Sequence, residues 1–191
     1  MRKLSSFTFI TLNGFYKGMN EDINWHKHGT EEAAFSAENL KTGNALLFGR
    51  VTYEMMAAFW PSPVAAENFP VVAEGMNKAE KYVFSKNLQQ AKWNNTRIIH
   101  KNIIEKVKAL KQSDGSNLTL LGSGKILTQF AEANIVDEYL LMIDPVAIGQ
   151  GVTLFDKIIK FPDLTLKATR VFKSGTILLT YEPAEVKKSN Q

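Results

Sequence analysis

The chain has no cysteine among its 191 residues. Disulfides, thiolate metal sites and cysteine nucleophiles are therefore excluded, and a reducing compartment suits it. Long hydrophobic runs are missing as well: no stretch approaches the ~18 consecutive apolar residues that read as a membrane span. The opening Met1-Arg2-Lys3-Leu4 is basic, but Ser5, Ser6, Thr8 and Thr11 interrupt the apolar stretch behind it. That segment is too polar for a secretory signal core. The cytoplasm is the expected location, with no membrane partner. Charge of one sign is scarce too. The net charge is +4, part of it at Lys187 and Lys188, enough for a mild attraction of anions. No dense basic run is interleaved with aromatics, so nucleic acid is not an expected partner. Repeats, low-complexity blocks and Pro/Gly/Ser-rich linkers are lacking. At 45% hydrophobic and 22% charged, the chain suits one domain with its own core, over 1–183, and a basic polar tail at 184–191.

What is present is an alternation of strands and helices. Leu4–Thr11 alternates as a strand does. Thr30 reads as a helix N-cap, with Glu31 and Glu32 in the first turn, where the helix dipole favours acids. Ala45–Phe48 reads as a buried strand, and Val51–Trp60 places Met55, Met56, Phe59 and Trp60 on one helical face. The prolines in 61–80 predict a loop with at most a helical turn. Lys81–Ser85 and Thr96–His100 read as strands, and Asn102 with Glu105 as a capping box. Asn117–Leu121 and Val136–Ile143 read as further strands, the first followed by a helix. Leu164–Phe172 and Thr176–Tyr181, joined by Lys173-Ser174-Gly175, read as an antiparallel hairpin. This order predicts βαβ crossovers and a mainly parallel sheet, whose ligands bind beyond the carboxyl ends of the strands.

Two strand–glycine–helix junctions fall at that end. The first is Leu46-Leu47-Phe48-Gly49-Arg50-Val51-Thr52-Tyr53. Gly49 permits a tight turn, and the following helix start, with Arg50 beside it, favours phosphate. A turn glycine with a solvent-facing arginine is the competing reading. The second is Leu118-Thr119-Leu120-Leu121-Gly122-Ser123-Gly124-Lys125-Ile126. A P-loop would need glycine at Thr119 and a hydroxyl residue at Ile126. A dinucleotide fingerprint would need glycine at Leu127. A small-residue turn at a helix start remains, suited to a pyrophosphate, with a bare pair of turn glycines as the competing reading. His26 and His28, near Glu21 and Asp22, lack a third ligand pattern, so no metal is expected. Nucleophile-elbow sequences are missing. Trp25 and Tyr53 are candidates to line a slot for a planar substrate.

Five segments in order resemble the dihydrofolate reductase-like family that includes the reductase domain of the riboflavin-biosynthesis deaminase/reductase. They are Phe9-Ile10-Thr11-Leu12-Asn13-Gly14-Phe15-Tyr16-Lys17-Gly18, Phe48-Gly49-Arg50-Val51-Thr52-Tyr53, Tyr82-Val83-Phe84-Ser85-Lys86, Gly122-Ser123-Gly124 and Pro145-Val146-Ala147-Ile148-Gly149-Gln150-Gly151. The resemblance implies a three-layer α/β fold of dihydrofolate reductase type, with a mostly parallel central sheet and a C-terminal antiparallel hairpin. It implies NADPH as cofactor, a small pterin, pyrimidine or related substrate reduced at C=N or C=O, and a homodimer. By the same resemblance, Gly14, Gly49, Arg50, Val51, Thr52, Ser85, Lys86, Leu121, Gly122, Ser123, Gly124, Lys125 and Ile126 hold the cofactor. Asn13, Trp25, Tyr53, Ile148 and Gly149 then face the substrate, and the loop after Leu12 closes over the nicotinamide. Asn13 stands where the family has aspartate, and no proton donor is marked by a motif. Asp22, Glu31 and Glu32 are the candidates by position, the two glutamates also being plain dipole-stabilising residues. A catalytically silent nucleotide-binding protein on the same fold is the alternative.

Overall fold

The computed structural model describes residues 1–27, 29–160 and 162–185; His28 and residues 186–191 of the expected tail, with Lys187 and Lys188, lie outside them. A period of two sends Leu4, Ser6, Thr8 and Ile10 to one face of β1 (Leu4–Thr11) and Ser5, Phe7 and Phe9 to the other. There follow β2 (Phe15–Lys17), α1 (Thr30–Lys41), β3 (Ala45–Gly49), α2 (Arg50–Phe59), α3 (Pro63–Asn68), α4 (Pro70–Lys78), β4 (Lys81–Phe84) and β5 (Thr96–Ile99). The second half supplies α5 (Ile103–Gln112), β6 (Leu118–Leu121), α6 (Gly124–Glu132), β7 (Glu138–Asp144), β8 (Val152–Thr153), β9 (Leu164–Val171) and β10 (Ile177–Pro183).

Eight strands form one sheet in the order β5-β4-β3-β6-β1-β7-β10-β9. The strands from β5 to β7 run parallel, and β10 runs against both β7 and β9. The expected mostly parallel sheet with a closing hairpin is thus observed. A second small ladder joins β2 to β8; neither strand is long enough to show a period in sequence.

Each face of the sheet is covered, which gives three layers. On one face Leu4, Leu47, Leu118 and Leu120 pack under Val107 of α5 and Leu127 and Phe130 of α6. On the other, Leu46, Phe48 and Val83 pack under Tyr53 of α2 and Val72 and Met76 of α4, with Trp93. Phe35 of α1 extends that second layer over Met142, Phe172 and Leu178. Fully burying one such leucine contributes about 1.5–3 kcal/mol. Among the described residues, no helix is long and apolar enough to cross a membrane.

Three local expectations are corrected. Residues 61–80 form two helices, because Pro63 and Pro70 each occupy a first-turn position, where the missing N–H is unneeded. Ser62 caps the first of them by accepting from Ala65 N–H at 3.3 Å. Gly29, not Thr30, is the N-cap of α1, and no side chain caps it. Asn102 is the N-cap of α5 but adopts φ 54°, and its side chain makes no capping bond.

Candidate functional site

β3 and β6 pair in register, Leu46 beside Thr119 and Leu47 beside Leu120. Their carboxyl ends therefore deliver Gly49 and Gly122 to the same edge of the sheet. Ser123 joins the two junctions: its Oγ accepts from Gly49 N–H at 2.7 Å, and its proton is within reach of Thr52 Oγ1 (3.0 Å) and the Leu121 carbonyl (3.2 Å). A Cβ on Gly49 would lie 3.1 Å from Ser123 Oγ and 3.2 Å from Ile126 Cγ1, so the closeness depends on glycine. Gly122 (φ 55°) and Ser123 (φ 62°) are successive left-handed residues. Glycine adopts that conformation freely, whereas serine carries a cost of roughly 1–2 kcal/mol. The turn is over-determined by the Ser123 bonds. In α6, Ile126 and Leu127 N–H donate to Ser123 O at 2.8 and 2.9 Å, which leaves the N–H groups of Gly124 and Lys125 without intrahelical acceptors. Neither α2 nor α6 is capped by a side chain.

These two helix starts border a cleft of about 590 Å³. Gly49, Arg50, Val51 and Thr52 form one side of its mouth, and Leu121, Gly122, Ser123, Lys125 and Ile126 the other. Phe7, Leu46 and Leu140 make an apolar floor, facing Leu40 of α1 and Met55 and Met56 of α2. Arg50 reaches Glu54 Oε2 at 2.6 Å, but both side chains are about half exposed (47% and 46%), so the pair is weak. Arg50 can exchange that partner for a ligand phosphate.

The remaining predicted cofactor residues are less directly placed. Gly124 packs beneath the Tyr16 ring, where a Cβ would meet Tyr16 Cε1 at 2.6 Å. Gly14 turns the chain after β1 with φ 85°. Ser85 and Lys86 lie just past β4 and outside the cleft; Ser85 Oγ is taken by Asn87 and Leu88 N–H at 3.2 and 3.0 Å, while Lys86 is exposed. The segment after Leu12 contributes Tyr16, Lys17, Glu21 and Ile23 to the cleft lining. The Lys17 ammonium pairs with the Glu21 carboxylate. Burial raises the Tyr16 phenol above its ordinary value, against the influence of Lys17.

None of the predicted substrate residues lines the cleft. Asn13 donates to Ile148 O at 2.8 Å and accepts from Ile148 N–H at 3.3 Å. This ties the turn after β1 to the Pro145–Gly151 loop and sets Gly149 beside it. Aspartate could not make both bonds, since it has no N–H to give. Tyr53 is only 3% exposed and belongs to the core, its Oη accepting from Trp93 N–H at 3.1 Å. Trp25 stands edge-on to His26, with its indole N–H buried and, among the described residues, without a hydrogen-bond partner.

The three candidate acids are likewise off the cleft. Glu31 accepts from Lys173 N–H at 3.0 Å, a bond that holds its carboxyl below the ordinary carboxylate value. Glu32, 1% exposed, accepts from the Ser174 hydroxyl. Both glutamates thus tie α1 to the β9–β10 turn. Asp22 serves its own loop, accepting from Asn24 N–H at 3.2 Å. Sequence reasoning missed the pair at the carboxyl end of β7: His26 Nδ1 lies 3.0 Å from both Asp144 oxygens. The His26 ring also stacks on Phe9 at 3.8 Å. His26 and Asp144 lie 118 positions apart, so no local pattern joins them. Among the described residues, no cluster of three or more His, Asp or Glu could hold a metal.

A mostly parallel sheet ending in an antiparallel hairpin, with linked glycine turns beside a deep cleft, defines a dihydrofolate reductase-like α/β protein. Residues 2–178 match the RibD C-terminal domain, and the chain belongs to that family. It is 28% identical over 172 residues to the uncharacterized protein YyaP of Bacillus subtilis, covering 90% of each chain. Its fold superposes on a Shewanella sp. PV-4 protein described under riboflavin biosynthesis, with TM-score 0.72, 17% identity and coverage of 95% and 99%. It also superposes on the diaminohydroxyphosphoribosylaminopyrimidine deaminase/5-amino-6-(5-phosphoribosylamino)uracil reductase of Thermotoga maritima. There the TM-score is 0.66 at 14% identity, over 96% of this chain and 57% of that one.

Proposed function

We propose that the protein is an NADPH-dependent reductase that transfers a hydride to a C=N or C=O bond of a small pterin, pyrimidine or related substrate, acting as a cytoplasmic homodimer. The observation that carries this reading is the hydrogen-bonded pair of helix starts, Gly49–Thr52 and Gly122–Ile126, at the mouth of one cleft. Their chemistry fits a pyrophosphate: N–H groups at two helix starts, no side-chain caps, and Arg50 and Lys125 alongside. Lys86, exposed beyond β4, suits the 2′-phosphate that distinguishes NADPH from NADH. Bound there, NADPH supplies the hydride. The chain binds its phosphates, orients the substrate over the Phe7–Leu140 floor, and excludes water with the Tyr16–Ile23 segment. The pyrimidine reductase activity in the Thermotoga relative's name supports the substrate class.

Titrating the protein into NADPH while following nicotinamide fluorescence tests the reading. Saturable binding with a micromolar constant, and NADPH oxidation with one member of a pterin, pyrimidine and carbonyl panel, is the expected result. Absence of binding at high micromolar protein would overturn it. Binding with no oxidation across the panel would instead favour the silent nucleotide-binding protein.

A further inference from the structure

Among the described residues, two carboxylates line the cleft, Glu21 and Glu138. Glu138 lies beside Ser5 at the start of β7, away from the glycine turns, with Lys3 as the cation acting on it. Glu21 belongs to the segment between β2 and α1 and is paired with Lys17. The Lys17 ammonium stands 5.4 Å from the centroid of the Tyr16 ring, and that ring rests on Gly124, the first residue of α6. The ion pair therefore borders the helix start whose first N–H groups lack intrahelical acceptors.

The two partners are held differently. Lys17 is 8% exposed, and β2 anchors its backbone against Val152 of β8. Burial works against its ammonium, yet Glu21 and Tyr16 together raise it above the ordinary value. A cation so enclosed needs an anion beside it. The Glu21 side chain, by contrast, is half exposed (51%). Its backbone sits at φ 62°, a left-handed conformation unfavourable for a residue with a Cβ. Glu21 is thus the movable partner, and exchange for another anion frees it to leave that conformation. The Arg50–Glu54 pair is a weaker relative: both side chains are about half exposed, and Glu54 does not line the cleft.

We infer that Glu21 is a built-in stand-in for a ligand phosphate: it neutralises Lys17 until a phosphate seated at the glycine turns takes its place. Lys17 is then a phosphate-binding residue, and Glu21 sets the affinity of the site by competing for it. The inference rests on the reductase reading only for the source of that phosphate, the pyrophosphate of NADPH.

The test is calorimetric titration with NADPH and, separately, inorganic pyrophosphate, on wild type, Glu21→Gln, Lys17→Met and the double variant. Glu21→Gln should tighten binding about fivefold or more, and Lys17→Met should weaken it about tenfold or more. In the Lys17→Met background, Glu21→Gln should change binding by no more than about twofold. A gain that persisted there would show Glu21 acting on the ligand without Lys17, and would overturn the inference. Glu67→Gln removes the same charge from an exposed position on α3 and should leave binding within about twofold; an equal gain there would overturn it too. Where Lys17→Met fails to fold, melting curves of Glu21→Gln decide. Without ligand it should melt below wild type, and saturating pyrophosphate should raise its melting temperature more than that of wild type; an equal or smaller rise would overturn the inference. Pyrophosphate behaving as expected with no NADPH binding would sink the reductase reading alone. NADPH binding indifferent to Glu21→Gln and Lys17→Met would sink only this inference.

Discussion

Ser123 does at one residue what sheet geometry cannot do alone: it bonds one glycine turn to the other. Ser123→Ala leaves Gly49 N–H without its acceptor. A loss of about 1–3 kcal/mol of stability is expected by urea denaturation, together with weaker NADPH binding by fluorescence. Lys81 offers a second residue-scale prediction. It is fully buried, donates to Ala79 O at 2.6 Å and Asn77 O at 3.1 Å, and lies 4.6 Å over the Trp93 ring. Burial pushes its pKa down to about 8. Between there and the unfolded value of about 10.4 the unfolded chain binds the extra proton, so stability rises with pH, by at most about 1.4 kcal/mol per unit. That contribution is lost as pH falls through 8. Tyr139, pushed up to about 12 by burial, acts oppositely above about pH 10, where only the unfolded chain loses its proton. Urea midpoints should therefore climb from about pH 8 to about pH 9.5, and Lys81→Met should flatten that climb.

At the scale of elements, α1 is held to the β9–β10 turn by Glu31 and Glu32 rather than presenting acids to the cleft. Glu32→Ala should lower stability by about 1–3 kcal/mol in denaturant melts while leaving the NADPH dissociation constant within about twofold. A large fall in turnover at unchanged stability would restore Glu32 as the proton donor. The elements themselves were legible where period and punctuation agreed. β1 alternates over the first seven of its eight residues, and the hairpin turns at Gly175 with φ 89°. Legibility failed at 61–80, where prolines read as breakers are helix starters. It failed again at β2 and β8, whose pairing comes from chain segments far apart in sequence.

For the whole molecule, the two junctions belong to neighbouring strands of one sheet, so a ligand bridging them stabilises the fold as a unit. NADPH at ~100 times its dissociation constant should add about 2.7 kcal/mol and raise the melting temperature in one cooperative step. A shift of only part of the transition would contradict that coupling. The class of fold, the order of the longer strands and helices and the two glycine junctions were legible in the chain, because alternation, turn glycines and helix-start chemistry are local properties; α3, α4, β2 and β8 were not. The motif order also led to the family. It took the packed chain to show that Ser123 binds Gly49, that Tyr53 is core, and that Asn13 pairs with Ile148. Packing also placed Glu31 and Glu32 against the hairpin and left Glu138 facing the cleft. Those outcomes depend on which strands lie side by side and in what register, and no local pattern encodes the neighbour that a side chain will meet.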